Sequence, residues 1–179
     1  MANLRMRETL ASLAIRDPLT GLFNRRYLEE SLEREVRRTA RNGMPFGVIM
    51  LDVDNFKRFN DTFGHGAGDT MLNSMAKLLR SRTRAGGIAS RYGGEEFTLV
   101  MPGATLESTR VRAEQLRRQV KQLQVQYKSP VLGQITLSLG VASFPQHGSS
   151  AQSLLQAADS ALYEAKQGGR DRVAVAPAI

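Results

Sequence analysis

The chain has 179 residues, 41% of them apolar, and a formal net charge of +8. That length suits one domain with a single sizeable core, and that apolar fraction argues against disorder. No apolar run reaches the roughly 18 residues of a membrane helix, no cleavable leader pattern opens the chain, and the lack of cysteine excludes disulfides and thiolate metal sites.

In chain order, residues 3–15 carry leucines at helical spacing and predict a short amphipathic helix. Asp17-Pro-Leu-Thr-Gly-Leu interrupts it, and Asn24 is placed to cap a helix over 25–41, where Tyr27, Leu28, Leu32 and Val36 recur. Phe46 to Asp52 reads as an apolar strand, followed by a short helix over 55–61, a glycine-rich loop over 63–68 and a helix over 69–79. Two strands, 88–92 and 97–101, flank Gly93-Gly94-Glu95-Glu96 as a hairpin. A helix over 106–123, an edge strand over 125–127 and a strong strand over 134–144 follow. Ser150 or Ser153 caps a last helix ending at Gln167, and residues 172–176 form a small final strand. This order predicts an α+β fold with a mostly antiparallel five-stranded central sheet flanked by helices.

Neither a dinucleotide fingerprint nor a Walker sequence is present, since the glycines of 64–68 follow a helix instead of a strand. Twenty of the 25 basic residues are arginine, which raises polyanions as partners. They are dispersed, however: Arg34, Arg37, Arg38 and Arg41 on one segment, Arg80, Arg82 and Arg84 on another, and Arg117, Arg118 and Lys121 on a third. No aromatic residues interleave with them as single-strand stacking requires, so they read as solvated faces and no nucleic-acid partner is expected.

The chemistry-bearing residues are acids. Asp52 ends an apolar strand, Asp54 lies two residues on, and Glu95 and Glu96 occupy the hairpin turn. If the hairpin lies beside the first strand, Asp52 and Glu95 face a common point. Hard oxygen ligands of this kind suit Mg²⁺ or Mn²⁺, and two histidines without cysteine argue against zinc. Each acid also has a plainer reading, as a strand-end charge or, for Asp54, a cap of the helix holding Lys57.

Four segments resemble the GGDEF family of diguanylate cyclase domains. They are Asp17-Pro-Leu-Thr-Gly-Leu-Phe-Asn-Arg25, the run from Asp52-Val-Asp-Asn-Phe-Lys to Gly-Asp69, Gly93-Gly-Glu-Glu-Phe97, and Asp159-Ser-Ala-Leu-Tyr-Glu-Ala-Lys-Gln-Gly-Gly-Arg170. The resemblance covers about residues 15–175. It implies a nucleotide-cyclase or polymerase-palm-like domain over 16–179, preceded by the end of a connecting helix over 1–15. It also implies synthesis of cyclic di-GMP from two GTP.

By that resemblance Asp52, the Val53 carbonyl and Glu95 hold Mg²⁺ or Mn²⁺, and Glu96 is a second ligand or lies near the attacking hydroxyl. Asn60 and Asp69 embrace guanine; the plainer alternatives make Asn60 a helix C-cap and Asp69 an N-cap. Lys57, Lys166 and Arg170 match phosphate-contact positions, although Lys166 and Arg170 also suit a helix C-terminus as cations. Leu22, Phe56 and Phe59 read as core or pocket wall, and His65 as a structural loop residue near the substrate. Asp17 and Arg91 are expected to form a structural ion pair. The family's product-binding Arg-x-x-Asp is altered here to Arg84-Ala-Gly-Gly87, which predicts weak or absent product feedback.

Joining two GTP molecules implies a homodimer, and the family resemblance implies a regulatory or sensor domain upstream. A GTP-using enzyme is expected on the cytoplasmic side, with any membrane anchor outside this segment. The alternatives are a GGDEF domain that binds GTP or cyclic di-GMP without turnover, and a polymerase-like protein with a similar acid pair.

Overall fold

The computed structural model describes residues 14–128 and 133–178. The expected helix over 3–15 therefore lies mostly outside the described residues. In order, the elements are α1 (Arg25–Asn42), β1 (Phe46–Val53), α2 (Phe56–Phe63), α3 (His65–Arg82), β2 (Ile88–Gly93), β3 (Glu96–Pro102), α4 (Leu106–Val120), β4 (Leu137–Phe144), α5 (Ala151–Gln167) and β5 (Val173–Val175). The strands form one sheet in the order β2-β3-β1-β4-β5, antiparallel except for the β4–β5 pair. The α+β expectation holds.

β1 and β4 are buried along their whole length because both sheet faces are covered. Their unbroken apolar runs follow from that, since a strand with only one buried face alternates. Ile49, Leu51 and Val53 pack with Met71, Met75 and Leu79 of α3 and Leu116 and Val120 of α4. Phe46, Val48 and Met50 point the other way, onto Leu28 and Leu32 of α1 and Leu154, Ala158 and Leu162 of α5. Period two along β1 thus places Asp52 on the α1/α5 face. α5 sits directly on β4 at Gly140, where a Cβ would fall 2.1 Å from the Ala158 carbonyl oxygen. Any side chain there would drive helix from sheet.

The caps behave as their residue types dictate. The Asn24 side chain accepts from the Tyr27 N–H at 3.0 Å, and Ser150 and Ser153 form a reciprocal capping box on α5. Several boundaries differ from expectation. α3 begins at His65, four residues earlier than predicted, so the expected loop over 63–68 is mostly helix. Glycine's poor intrinsic helicity hid this; close packing of the first turn of α3 against α2 overrides it. α4 ends at Val120, and β4 starts at Leu137. Of the expected edge strand over 125–127 only Gln126 makes a β-bridge, and Val125 is buried in the α3/α4 core.

Candidate active site

The β1–β3 register places Asp52 directly opposite Glu96, and Val53 N–H donates to the Glu95 carbonyl at 3.3 Å. The acid pair closest in register is therefore Asp52 with Glu96, where sequence reasoning had paired Asp52 with Glu95. Glu95 is nonetheless near. Burial pushes the Asp52 carboxyl up to about 6, the Lys166 ammonium opposes that, and the charges of Glu95 and then Glu96 add to the rise. Lys166 Nζ donates to Asp52 Oδ2 at 2.8 Å, reaching across from α5. Burial and like charges disfavouring ionisation, with one cation compensating, are the electrostatics of a site that favours further positive charge.

The turn carrying Glu95 is held from behind. Arg91 Nε and one terminal nitrogen donate to the Gly94 carbonyl at 2.9 and 2.8 Å, and its other nitrogen pairs with Asp17 at 3.2 Å. Asp17 also accepts from the Thr20 N–H and hydroxyl at 2.8 and 2.7 Å. Against the upward push of burial, Thr20 and Arg91 hold the Asp17 carboxyl below its ordinary range. The expected ion pair is present, and it grips the turn as well as the strand.

Beside this end of the sheet lies the α2–α3 corner. Asn60 is inside α2 and the C-cap is Gly64, so the C-cap alternative for Asn60 fails. Gly64 is also the N-cap of α3, which places Asp69 within the helix and removes its N-cap alternative. Asn60 Oδ1 is buried without a hydrogen-bond partner. It lies against Gly68, where a Cβ would come within 1.9 Å of that oxygen and 3.1 Å of the Phe56 ring. Only glycine leaves the Asn60 amide where it is. An orphan buried acceptor costs about 1 to 3 kcal/mol unless a donor arrives.

Asp69, His65 and Lys57 are exposed around this corner, and Phe56 and Phe59 are half-buried. Leu22, at 2% exposure, belongs to the core cluster into which Phe56 packs. Arg170 is exposed just beyond Lys166, with a left-handed φ of 63°.

Asp54 is not a helix cap. Its oxygens accept from Thr136 Oγ1 at 2.7 Å, Ser138 Oγ at 2.6 Å and the Asp171 N–H at 3.0 Å. Sequence reasoning missed these partners, because nothing local marks acceptors and donors 82 to 117 residues apart.

Arg84 and Gly87 lie elsewhere. They line a cavity of about 610 Å³ with Arg82, Leu99, Val111 and Arg112, toward the other end of β3. A Cβ at Gly87 would fall 2.9 Å from Thr83 Cγ2 and 3.1 Å from the Arg84 carbonyl oxygen, so the turn has closed around the missing side chain.

Among the described residues no group of three acid or imidazole side chains is already gathered for a cation. The donor set still fits a hard divalent ion, because Asp52 and Glu96 are cross-strand neighbours and Glu95 adds negative charge beside them. Nor is any helix among the described residues long and apolar enough to cross a membrane.

A central sheet with paired acids at one end, flanked by helices, defines a palm-like α+β domain. The chain belongs to the GGDEF family: the model for "Diguanylate cyclase, GGDEF domain" matches residues 14–172. It is 44% identical over 163 residues to diguanylate cyclase DgcP of Pseudomonas aeruginosa, covering 91% of this chain and 24% of that protein. It is 41% identical over 174 residues to diguanylate cyclase VdcA of Vibrio cholerae, covering 94% of this chain and 50% of that protein. The chain thus spans half or less of the length of these relatives. Among solved structures it resembles the coiled coil and GGDEF domain of DgcB from Caulobacter crescentus, in complex with c-di-GMP. The TM-score is 0.89 at 34% identity, covering 98% of this chain and 94% of that one.

Proposed function

We propose that the chain is a diguanylate cyclase domain that condenses two GTP molecules into cyclic di-GMP and two pyrophosphates. Each 3′-hydroxyl gives up its proton to water and its oxygen forms a bond to the α-phosphorus of the other GTP, the α–β anhydride bond breaks, and pyrophosphate leaves with its electron pair. The observation that carries this reading is the meeting of Asp52, Glu95, Glu96 and Lys166 at one sheet end, with the Asp52 carboxyl raised to about 6.

In this reading Asp52, the Val53 carbonyl and Glu95 hold Mg²⁺ or Mn²⁺, with Glu96 beside them. Bound there, the ion supplies Lewis acidity toward the phosphate and a more acidic hydroxyl. Lys57, Lys166 and Arg170 neutralise the triphosphate, and Lys166 exchanges its contact with Asp52 for phosphate oxygens. The orphan Asn60 Oδ1 and the exposed Asp69 carboxylate accept from guanine, whose N1–H and 2-amino group are adjacent donors. Adenine offers neither group on that edge and would leave these acceptors unpaired, a discrimination of roughly 10²-fold or more. One site of this size holds one GTP, so turnover needs two copies facing each other, with the sites confronted.

The test is incubation of the purified chain with GTP and Mg²⁺, followed by separation of the products, beside Glu95→Gln. Cyclic dinucleotide from the parent and none from the variant is the expected result. An unchanged nucleotide pool at high protein concentration would leave a binding domain in its place.

A further inference from the structure

Lys166 stands in the last turn of α5 and Arg170 in the turn that follows, and that turn is built in a costly way. Arg170 and Asp171 both adopt positive φ, 63° and 46°, although neither is glycine. Two successive residues of this kind persist only where surrounding contacts over-determine them. The contacts converge on Asp171. Its N–H donates to Asp54 Oδ2 at 3.0 Å, and its Oδ1 and carbonyl oxygen accept from one Arg117 nitrogen at 2.6 and 3.2 Å. Lys121 pairs with its other carboxylate oxygen.

Arg117 is itself aimed. Its remaining nitrogens donate to both Glu114 oxygens at 2.9 and 2.8 Å. Burial works to raise the Asp171 carboxyl, yet Lys121 and Arg117 hold it below its ordinary range, so it is fully charged at neutral pH. Asp54, meanwhile, is fixed to β4 by Thr136 and Ser138. The turn therefore hangs from the end of β1 through Asp54, from Arg117 of α4 and its C-cap Lys121, and from α5 through the Arg170 N–H to Ala165 carbonyl bond at 3.1 Å.

We propose that Asp171, gripped by Asp54 on one side and by Arg117 and Lys121 on the other, is a positioning residue that aims Lys166 and Arg170 at the triphosphate. This rests on reading the site as a GTP site. Asp171 touches no reacting atom; it anchors the backbone directly after Arg170, which the Arg170 N–H to Ala165 carbonyl bond ties to the end of α5 that carries Lys166. Asp54, two residues from a metal-ligand candidate, serves that turn and not the cation.

The test separates phosphate contacts from guanine contacts. Binding of GMP and of a GTP analogue with an α,β-methylene bridge is titrated with Mg²⁺ on the parent, Asp171→Ala and Arg117→Met. Arg117 lies on α4, outside the proposed substrate contacts, so its variant keeps the test alive if Asp171→Ala folds poorly. Both variants should weaken the analogue about ten- to a hundredfold, as small displacements of positioning groups do, and leave GMP within about twofold. A merely structural role would weaken both ligands alike or neither, and either result overturns the proposal. A parent that binds neither ligand would overturn the GTP reading beneath it instead.

Discussion

The two ends of the sheet were built by opposite rules. At one end, where Asp52 faces Glu96, acids crowd together, Lys166 is drawn in, and Asn60 Oδ1 is left without a donor. At the other, where Phe46 pairs with Pro102 and with Phe144, the buried Ser143 hydroxyl donates to the Phe46 carbonyl at 3.4 Å. There His147, 2% exposed, accepts the Ser143 N–H at 3.0 Å. An end that wastes stability marks where a ligand is to supply what is missing; an end that is settled only holds the fold.

The sharpest way to break this comparison is Asp52→Asn. Catalysis should fall by at least about 10²-fold, the cost of losing a proposed ligand of the ion that would polarise the reacting phosphate. Stability should move the other way. Because the folded-state value is raised to about 6 from 3.8, ionised Asp52 opposes folding above pH 6 and ceases to do so below about 3.8. A rise from 3.8 to about 6 corresponds to at most about 3 kcal/mol, already net of the Lys166 contact, and solvent screening reduces it, so a net gain of about 1 kcal/mol is expected at pH 7.5. Urea unfolding in chelator measures it, and a less stable variant would contradict the picture of a strained end.

Next in size is Arg91→Met. Removing two bonds to the Gly94 carbonyl and the Asp17 pair should cost about 1 to 3 kcal/mol. Turnover should fall further than stability alone explains, because the released turn carries Glu95. Equal kcat with a lowered Tm would make the clamp a matter of fold alone.

His147 tests the settled end. Burial pushes its imidazole below the ordinary value, and protonation would also break the bond its Nδ1 accepts. With the folded value lowered, stability is full above the unfolded value of about 6.5 and is lost as pH falls. That slope is opposite to the one from Asp52. In Asp52→Asn, unfolding between pH 7 and pH 5 should therefore show a steeper loss than in the parent, and His147→Gln should flatten it. Parallel slopes in parent and Asp52→Asn would mean that Asp52 titrates normally.

Much of this was legible from residues alone. The apolar runs of β1 and β4, the Asn24 and Ser150 caps and the glycine turn at 93–94 specify their elements through local rules. The acids at 52, 95 and 96 stood out because charges rarely close an apolar strand. What stayed hidden depends on distant partners. Gly66 and Gly68 spoke for a loop, and close packing, of Gly66 against Tyr127 and of Gly68 against Asn60 and Phe56 of α2, makes room for them only as helix. Nothing local singles out Asp171 after Gly168-Gly169, because its roles come from Asp54 and from the end of α4. The direct Lys166–Asp52 contact likewise needs α5 folded onto β1's face.

The smallest effect expected is at the arginine-lined cavity. Recognition of a cyclic dinucleotide guanine there would need an acceptor for its N–H groups as well as a cation. Gly87 offers no side chain, and Glu107, which also lines the cavity, is occupied by Arg110 at 2.7 and 2.9 Å. Arg84 alone is an exposed charge, and such charges contribute little. Arg84→Ala should therefore leave turnover and its response to added cyclic di-GMP unchanged within about twofold. Reinstating the acid by Gly87→Asp is a harder route, since its Cβ would crowd Thr83 and the Arg84 carbonyl. Micromolar product inhibition that disappears in Arg84→Ala would show that this end of the sheet also awaits a ligand, and the contrast between the two ends would fail.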